Sequence, residues 1–218
     1  MCRVFFNATE AMTKHSKDWT GVGRGSVFKT LGASNHTDEE REAHDLYCTD
    51  PIAATLLCSV EQFVGDIWES SAGLGHLSEE FIKHGYTVYS TDLIDRGYDN
   101  NFVGTFDFLE WEDEPLAPNI ITNPPYIHSV AFIEKAMKIL PDGGKLCLFL
   151  KLQFLEGKAR KLLFEKYPPR VIYVSSARIL CAKNGDFEKM KKGGGSAVAY
   201  AWYCWKKNYT SDTIVKWL

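Results

Sequence analysis

The sequence predicts an α/β domain built on a doubly wound, mostly parallel sheet, closed by an antiparallel strand near the C-terminus. Three observations predict it. Short apolar runs rich in Val, Ile, Tyr and Trp alternate with amphipathic segments of helical length. That alternation is the signature of parallel strands joined by crossover helices. A glycine turn links one strand to the helix behind it, and the strand after that helix ends on an acid. A later strand is cut off by two consecutive prolines, which can neither continue a helix nor donate to a central ladder.

The elements follow in order. Residues 1–37 are polar and dotted with glycine ("GVGRGS", "GASN") and are expected to form a loosely held arm. Residues 38–218 are expected to form one domain, with no separate target-recognition domain. "TDEEREAHDLY" opens with a helix-start signal at Thr37 or Asp38. Asp50 can cap a second helix, with Pro51 at its first position and "IAATLLCSVEQF" as its body. "GDIWE" reads as a strand, and "GLGHLSEEFIKHG" as a turn and a helix that stops at Gly85. "YTVYSTD" and "NIITN" are strands, and "SVAFIEKAMKIL" is a helix. "GKLCLFLK" is a buried strand, "EGKARKLLFEKY" a helix and "RVIYV" a strand. "SAVAYAWYCWKK" is the long closing strand. "FEKMKKGGGS" (187–196) reads as a mobile loop.

Composition narrows the class. Of 218 residues, 45% are hydrophobic and 24% charged, as in a soluble globular chain. We find no apolar run long enough to span a membrane and no signal-peptide pattern at the N-terminus, so a cytoplasmic protein is expected. The six cysteines are scattered, without a C-x-x-C pair, which argues against a structural zinc site and for reduced thiols. No metal is expected. The net charge of −3 neither requires nor excludes a polyanion partner, so nucleic-acid binding has to rest on local patches.

Two segments carry chemistry. Glu69, Ser70, Ala72, Gly73 and Gly75 form a strand-to-helix turn whose glycines allow positive φ and close approach of a ligand. The third glycine of a dinucleotide fingerprint is replaced by Ser78. Asp92, at the end of the next strand, suits the hydroxyl pair of a ribose. These features point to an adenosine-containing cofactor. The second segment is Asn123-Pro124-Pro125-Tyr126. In an open α/β sheet it falls on the same rim as the glycine turn. The prolines hold the Asn123 amide and the Pro124 carbonyl as two acceptors that can converge on one amino group. Tyr126 offers a flat ring for stacking.

Asn123 to Tyr126 resembles the [DNS]-P-P-[YFW] motif of amino-methyltransferases. Residues 47–206 resemble a class I S-adenosylmethionine-dependent methyltransferase with a Rossmann-like sheet. The resemblance implies that Glu69 to Gly75, Asp92 with Leu93, and Asp107-Phe108 contact S-adenosylmethionine. Thr49 and Pro51, in "YCTDP", resemble the upstream segment that touches the methionine end of the cofactor. "DLIDRG" (92–97) and "LQFLEGKAR" (152–160) resemble phage-type DNA N6-adenine methyltransferase-like proteins with gamma-type motif order.

The resemblance implies Asn123, Pro124, Pro125 and Tyr126 as catalytic residues, and DNA as the partner. It leaves room for a homo-oligomer or a separate recognition subunit, because only about 90 residues follow Tyr126. Ribosomal RNA or a protein glutamine would serve the same motif. A non-catalytic cofactor-binding module is the reading from another class. Trp202, Tyr203 and Trp205 are expected to pack in the core, and Arg96 to form a surface ion pair. Lys158, Arg160 and Lys161 suit either phosphates or a solvated helix face.

Overall fold

The structure, a computed structural model, describes residues 46–218. The predicted arm (1–37) and the helix signal at Thr37 lie outside the described residues. The elements are β1 (Tyr47–Thr49), α1 (Ile52–Val60), β2 (Ile67–Glu69), α2 (His76–Lys83), β3 (Val88–Asp92), β4 (Phe102–Thr105) and β5 (Asn119–Thr122). They continue with α3 (Ser129–Ile139), β6 (Lys145–Lys151), α4 (Lys158–Lys166), β7 (Val171–Val174), β8 (Cys181–Lys183), α5 (Phe187–Lys192), β9 (Tyr200–Lys206) and β10 (Ile214–Trp217).

Eight strands form one sheet in the order β10-β7-β9-β6-β5-β2-β3-β4. All run parallel except β9, which is antiparallel to both β6 and β7. β1 and β8 pair as a separate antiparallel ribbon. The order reverses between β2 and β5, which makes the C-terminal ends of those strands the switch point where such sheets bind ligands.

Period-two alternation along the strands builds two cores. Ile67, Ile121, Phe149, Tyr173 and Trp202 face α1 and α2. Trp68, Ile120, Leu148, Ile172, Tyr203 and Trp205 face the opposite way, toward α3 and α4. The three closing aromatics are therefore core, as expected. Trp202 also ties β9 to α1, its indole N–H donating to the Ala53 carbonyl at 2.8 Å. The predicted start of α1 is present as well, since Asp50 Oδ1 accepts the Ile52 N–H at 3.1 Å.

The antiparallel strand expected near the C-terminus is present as β9, with β10 following it in the chain and pairing parallel with β7 at the sheet edge. Two expectations are corrected. Residues 187–192 form α5 rather than a mobile loop. Asp186 supplies the reason: its Oδ1 accepts the Lys189 N–H at 3.0 Å and starts a helix that ends at Gly193. The described chain also holds strands that sequence reading passed over, namely β4, β10 and the β1–β8 ribbon. Among the described residues, no helix is long and apolar enough to cross a membrane.

Candidate active site

The glycine turn leaves the end of β2 at the switch point. Gly73 (φ +57°) donates its N–H to Asp92 Oδ2 at 2.8 Å, and Ala72 donates to the Thr91 carbonyl at 3.0 Å. The loop is thus moored to β3. Asp92 Oδ1 accepts the Ile94 N–H at 3.0 Å, and the Arg96 guanidinium lies 3.8 Å from the same oxygen. Leu93, between these anchors, is exposed.

Gly75 begins α2 at φ +77°, and a Cβ there would sit 2.2 Å from the ring of the buried Tyr98. Gly75→Ala is expected to cost the ~1–3 kcal/mol of a non-glycine residue at positive φ, plus displacement of that ring. Gly85, at φ +88° with nothing within 4 Å of a Cβ, isolates the backbone part. Urea denaturation of Gly75→Ala and Gly85→Ala should therefore show a clearly larger loss for the first. Equal losses would mean that Tyr98 yields freely.

Ser78 explains the incomplete fingerprint. Its hydroxyl donates to the carboxylate of Glu69 and lies 2.7 Å from Ser90 Oγ. All three residues are buried. A glycine at 78 would leave Glu69 without that donor. Burial pushes the Glu69 carboxyl up to about 8. Because the folded value is raised above the unfolded value of 4.5, the native state holds an extra proton between them. Its contribution is complete below about pH 4.5 and is lost as pH rises through about 8. Glu69→Gln should flatten this decline, so the melting temperature of wild type should fall relative to the variant between those values. Parallel profiles would count against a neutral Glu69.

Asn123 stands at the end of β5, opposite that loop. Its amide nitrogen donates to Thr49 Oγ1 at 2.9 Å and to the Tyr47 carbonyl at 3.4 Å, both on β1. A carbonyl can only accept, so the NH2 must face β1 and the oxygen must face away from it. Among the described residues, Asn123 Oδ1 is buried and has no hydrogen-bond partner. Ser70 Oγ and Thr122 Oγ1, at the ends of β2 and β5, are in the same condition. Buried acceptors left unmatched at a switch point fit a polar ligand that supplies donors. Pro124 is buried and Pro125 exposed, and the Pro125 carbonyl accepts the His128 N–H at 2.9 Å to close a 3-10 turn over Tyr126–His128.

Comparison with known proteins agrees with this layout. No protein-family model and no curated protein matches the chain. Among the solved structures that share its architecture are the following three. A protein provisionally described as a hemolysin from Lactococcus lactis superposes with a TM-score of 0.52 at 13% identity, covering 78% of this chain and 94% of the other. A protein described as a class I S-adenosylmethionine-dependent methyltransferase from Listeria monocytogenes gives 0.51 at 16% identity, covering 77% and 63%. The M protein of the type I restriction enzyme EcoKI gives 0.51 at 14% identity, covering 74% and 44%. The chain thus spans under two thirds of the Listeria protein and under half of the EcoKI subunit. What the chain shares with these structures is the fold, a mostly parallel sheet with helices on both faces.

On this fold the remaining predicted residues are placed unevenly. Tyr126 is half-buried rather than a free platform. Its hydroxyl lies 3.6 Å from Cys181 Sγ on β8, its ring centroid is 6.3 Å from that of Tyr200, and the Lys151 ammonium sits 5.0 Å over it. Burial holds the Tyr126 hydroxyl well above its usual range and pushes the Cys181 thiol up to about 11, so both stay protonated. The Phe108 ring is committed to the core, stacked on Phe132 at 4.7 Å and edge-on to Trp68 at 5.3 Å. Asp107 beside it is exposed, with Oδ1 accepting the Leu109 N–H at 2.8 Å. Pro51 serves the start of α1. Arg160, weighed as a phosphate ligand, instead donates to the Gln153 and Glu156 carbonyls at 3.0 and 2.8 Å. Sequence reading missed Lys151, Cys181 and Tyr200, since only the β1–β8 pairing and the β6–β9 register bring them to Asn123 and Tyr126. Among the described residues, no group of three or more His, Cys, Asp or Glu could hold a metal ion.

Proposed function

We propose that the protein transfers a methyl group from S-adenosylmethionine to an exocyclic amine, with N6 of adenine in DNA as the substrate. The observation that carries the reading is the oriented Asn123 amide, whose buried, unmatched oxygen lies on the same rim as a glycine turn moored to an acid. The residues suit the cofactor. Gly73 and Gly75 allow close approach, Asp92 keeps lone pairs for ribose hydroxyls, and Ser70 Oγ is an unmatched polar atom beside them. When bound, S-adenosylmethionine supplies an electrophilic methyl on a sulfonium centre.

The chain's own part is to activate a poor nucleophile. The lone pair of an aromatic amine is delocalised into the ring. Asn123 Oδ1 and the Pro124 carbonyl accept its two hydrogens and favour the pyramidal nitrogen whose lone pair is free to attack. As the nitrogen gains positive charge these hydrogen bonds strengthen, which is stabilisation specific to the transition state. Thr49 and the Tyr47 carbonyl keep the amide from rotating, so no reorganisation is needed during the reaction. A base in a duplex would first be flipped out, at a few kcal/mol. Asn at the first position and Tyr at the fourth of the motif favour adenine N6 over cytosine N4. The likeness in fold to a restriction-enzyme M protein suits a DNA substrate.

The test supplies tritiated S-adenosylmethionine with double-stranded DNA, single-stranded DNA, ribosomal RNA and cell protein in separate reactions. Label on adenine of DNA is the expected result. Label confined to RNA or protein would keep the chemistry and replace the substrate. Absence of cofactor binding by calorimetry would overturn the reading altogether.

A further inference from the structure

The total charge of the chain conceals a division. Residues 145–218 carry fifteen Lys and Arg against five Asp and Glu, a net of +10 with His neutral. Residues 46–144 carry four against sixteen, a net of −12 on the same count. The boundary falls between β5 and β6. The acidic segment therefore builds the β5-β2-β3-β4 half of the sheet, with the glycine turn and Asp92. The basic segment builds the β6-β9-β7-β10 half. Such a field draws a polyanion to one half and turns it away from the other.

An open groove of about 520 Å³ lies on the basic half. Leu152, Leu155, Ala197 and Ala199 give it apolar walls, and Gln153 and Arg178 give it polar groups, with Glu156 its one acid. It begins next to the candidate active site. Leu152 follows Lys151, Ala199 precedes Tyr200, and the Leu152 N–H donates to the Ala199 carbonyl at 2.8 Å. Lys151 and Tyr200 are the two residues that flank the Tyr126 ring. Arg178 is exposed, three residues before the Cys181 that touches Tyr126.

We infer that this groove seats the nucleotide adjoining the methylated base on a single nucleic-acid strand, with Arg178 on its phosphate. The inference deepens the proposed reading of Asn123 and rests on it for which base is methylated. A groove of this volume is in the range that holds a small organic ligand. Apolar walls suit the face of a base, Gln153 can bond a base edge, and a guanidinium fork matches phosphate oxygens. The basic half of the sheet then carries the strand onward by charge alone, so the substrate is held with little dependence on sequence.

The test measures anisotropy of a short labelled DNA strand carrying one adenine, and of its RNA counterpart, between about 50 and 200 mM salt. Arg178→Ala is expected to weaken binding several-fold and to lower the salt slope by about 1. Ala197→Trp, at an exposed position, is expected to fill the groove and weaken binding about 10-fold, the loss of one well-made stacking contact. Both variants should bind S-adenosylhomocysteine as wild type does by calorimetry, which certifies the fold, and should methylate free deoxyadenosine unchanged. Equal losses on DNA and RNA support the groove and assign it to base and phosphate rather than sugar. Unaltered affinity and slope in both variants would overturn the inference, as would polyglutamate competing as well as DNA. Salt-dependent strand binding through Arg178 in a protein that transfers no methyl would leave the groove standing and fail the reading of Asn123.

Discussion

Asn123→Ala is expected to keep its fold and its cofactor affinity while losing methyl transfer by about 10²–10³-fold, the usual cost of removing one preorganised group aimed at transition-state charge. The loss should fall on kcat rather than KM, because the hydrogen bonds to the amine strengthen only as its nitrogen becomes tetrahedral. Asn123→Asp separates two parts of the role. It retains an acceptor but places a carboxylate against the Tyr47 carbonyl, which now accepts from the Asn123 NH2 at 3.4 Å. Its side chain should rotate away, so Asp should rescue little of the rate. Wild-type turnover in Asn123→Ala, measured by methyl incorporation with cofactor binding verified separately, would remove this residue from the chemistry.

The second large effect is expected on the opposite rim. Glu61 is buried, with 3% of its surface exposed, and takes donors from three places. Lys145 Nζ lies 2.8 Å away at the start of β6, Tyr173 Oη 2.7 Å away on β7, and the Arg170 guanidinium pairs with it just before β7. One carboxylate thus pins α1 to two strands that the sheet separates by β9. Glu61→Ala leaves two cations without their counter-ion, a change that costs about 3–5 kcal/mol in a buried setting. Lys145 and Arg170 side chains retain 19% and 29% exposure, so the lower end is expected. Urea denaturation should show the loss, while activity per folded molecule should not change. A loss below about 1 kcal/mol would mean that water takes over the solvation of both cations.

The contrast between the rims bears on what was legible beforehand. The glycine turn, Asp92 and the Asn-Pro-Pro-Tyr stop announce themselves through backbone chemistry, because positive φ and a missing N–H are written in residue type. The long buried strands β6 and β9 announce themselves by apolar length. β4 and β10 do not. "FVGT" carries a glycine in its middle and buries no residue fully, and "IVKW" is exposed on both faces at the sheet edge, so neither shows an apolar–polar alternation of residue types. The β1–β8 ribbon is three residues on each side and is joined across more than a hundred positions, beyond the reach of any local pattern. α5 was hidden by its lysines and trailing glycines, although Asp186 was there to start it. Phe108 illustrates the limit of a motif: its residue type fits a ligand contact, yet its ring completes the core between Trp68 and Phe132. The charge division was readable throughout, but the net value of −3 averages it away.

The position of β9 also dictates when the molecule can become itself. β6 and β7 never touch as neighbours; the strand that joins them is drawn from residues 200–206, behind both in the chain. During synthesis the first five parallel strands can assemble as each emerges, but their last member, β6, then presents an unpaired edge that is apolar between its terminal lysines. That edge stays open until some fifty further residues have left the ribosome. Insertion of β9 closes it and in the same event delivers Tyr200 to Tyr126. A half-made chain is therefore both inactive and sticky, and its competence arrives late, in one step.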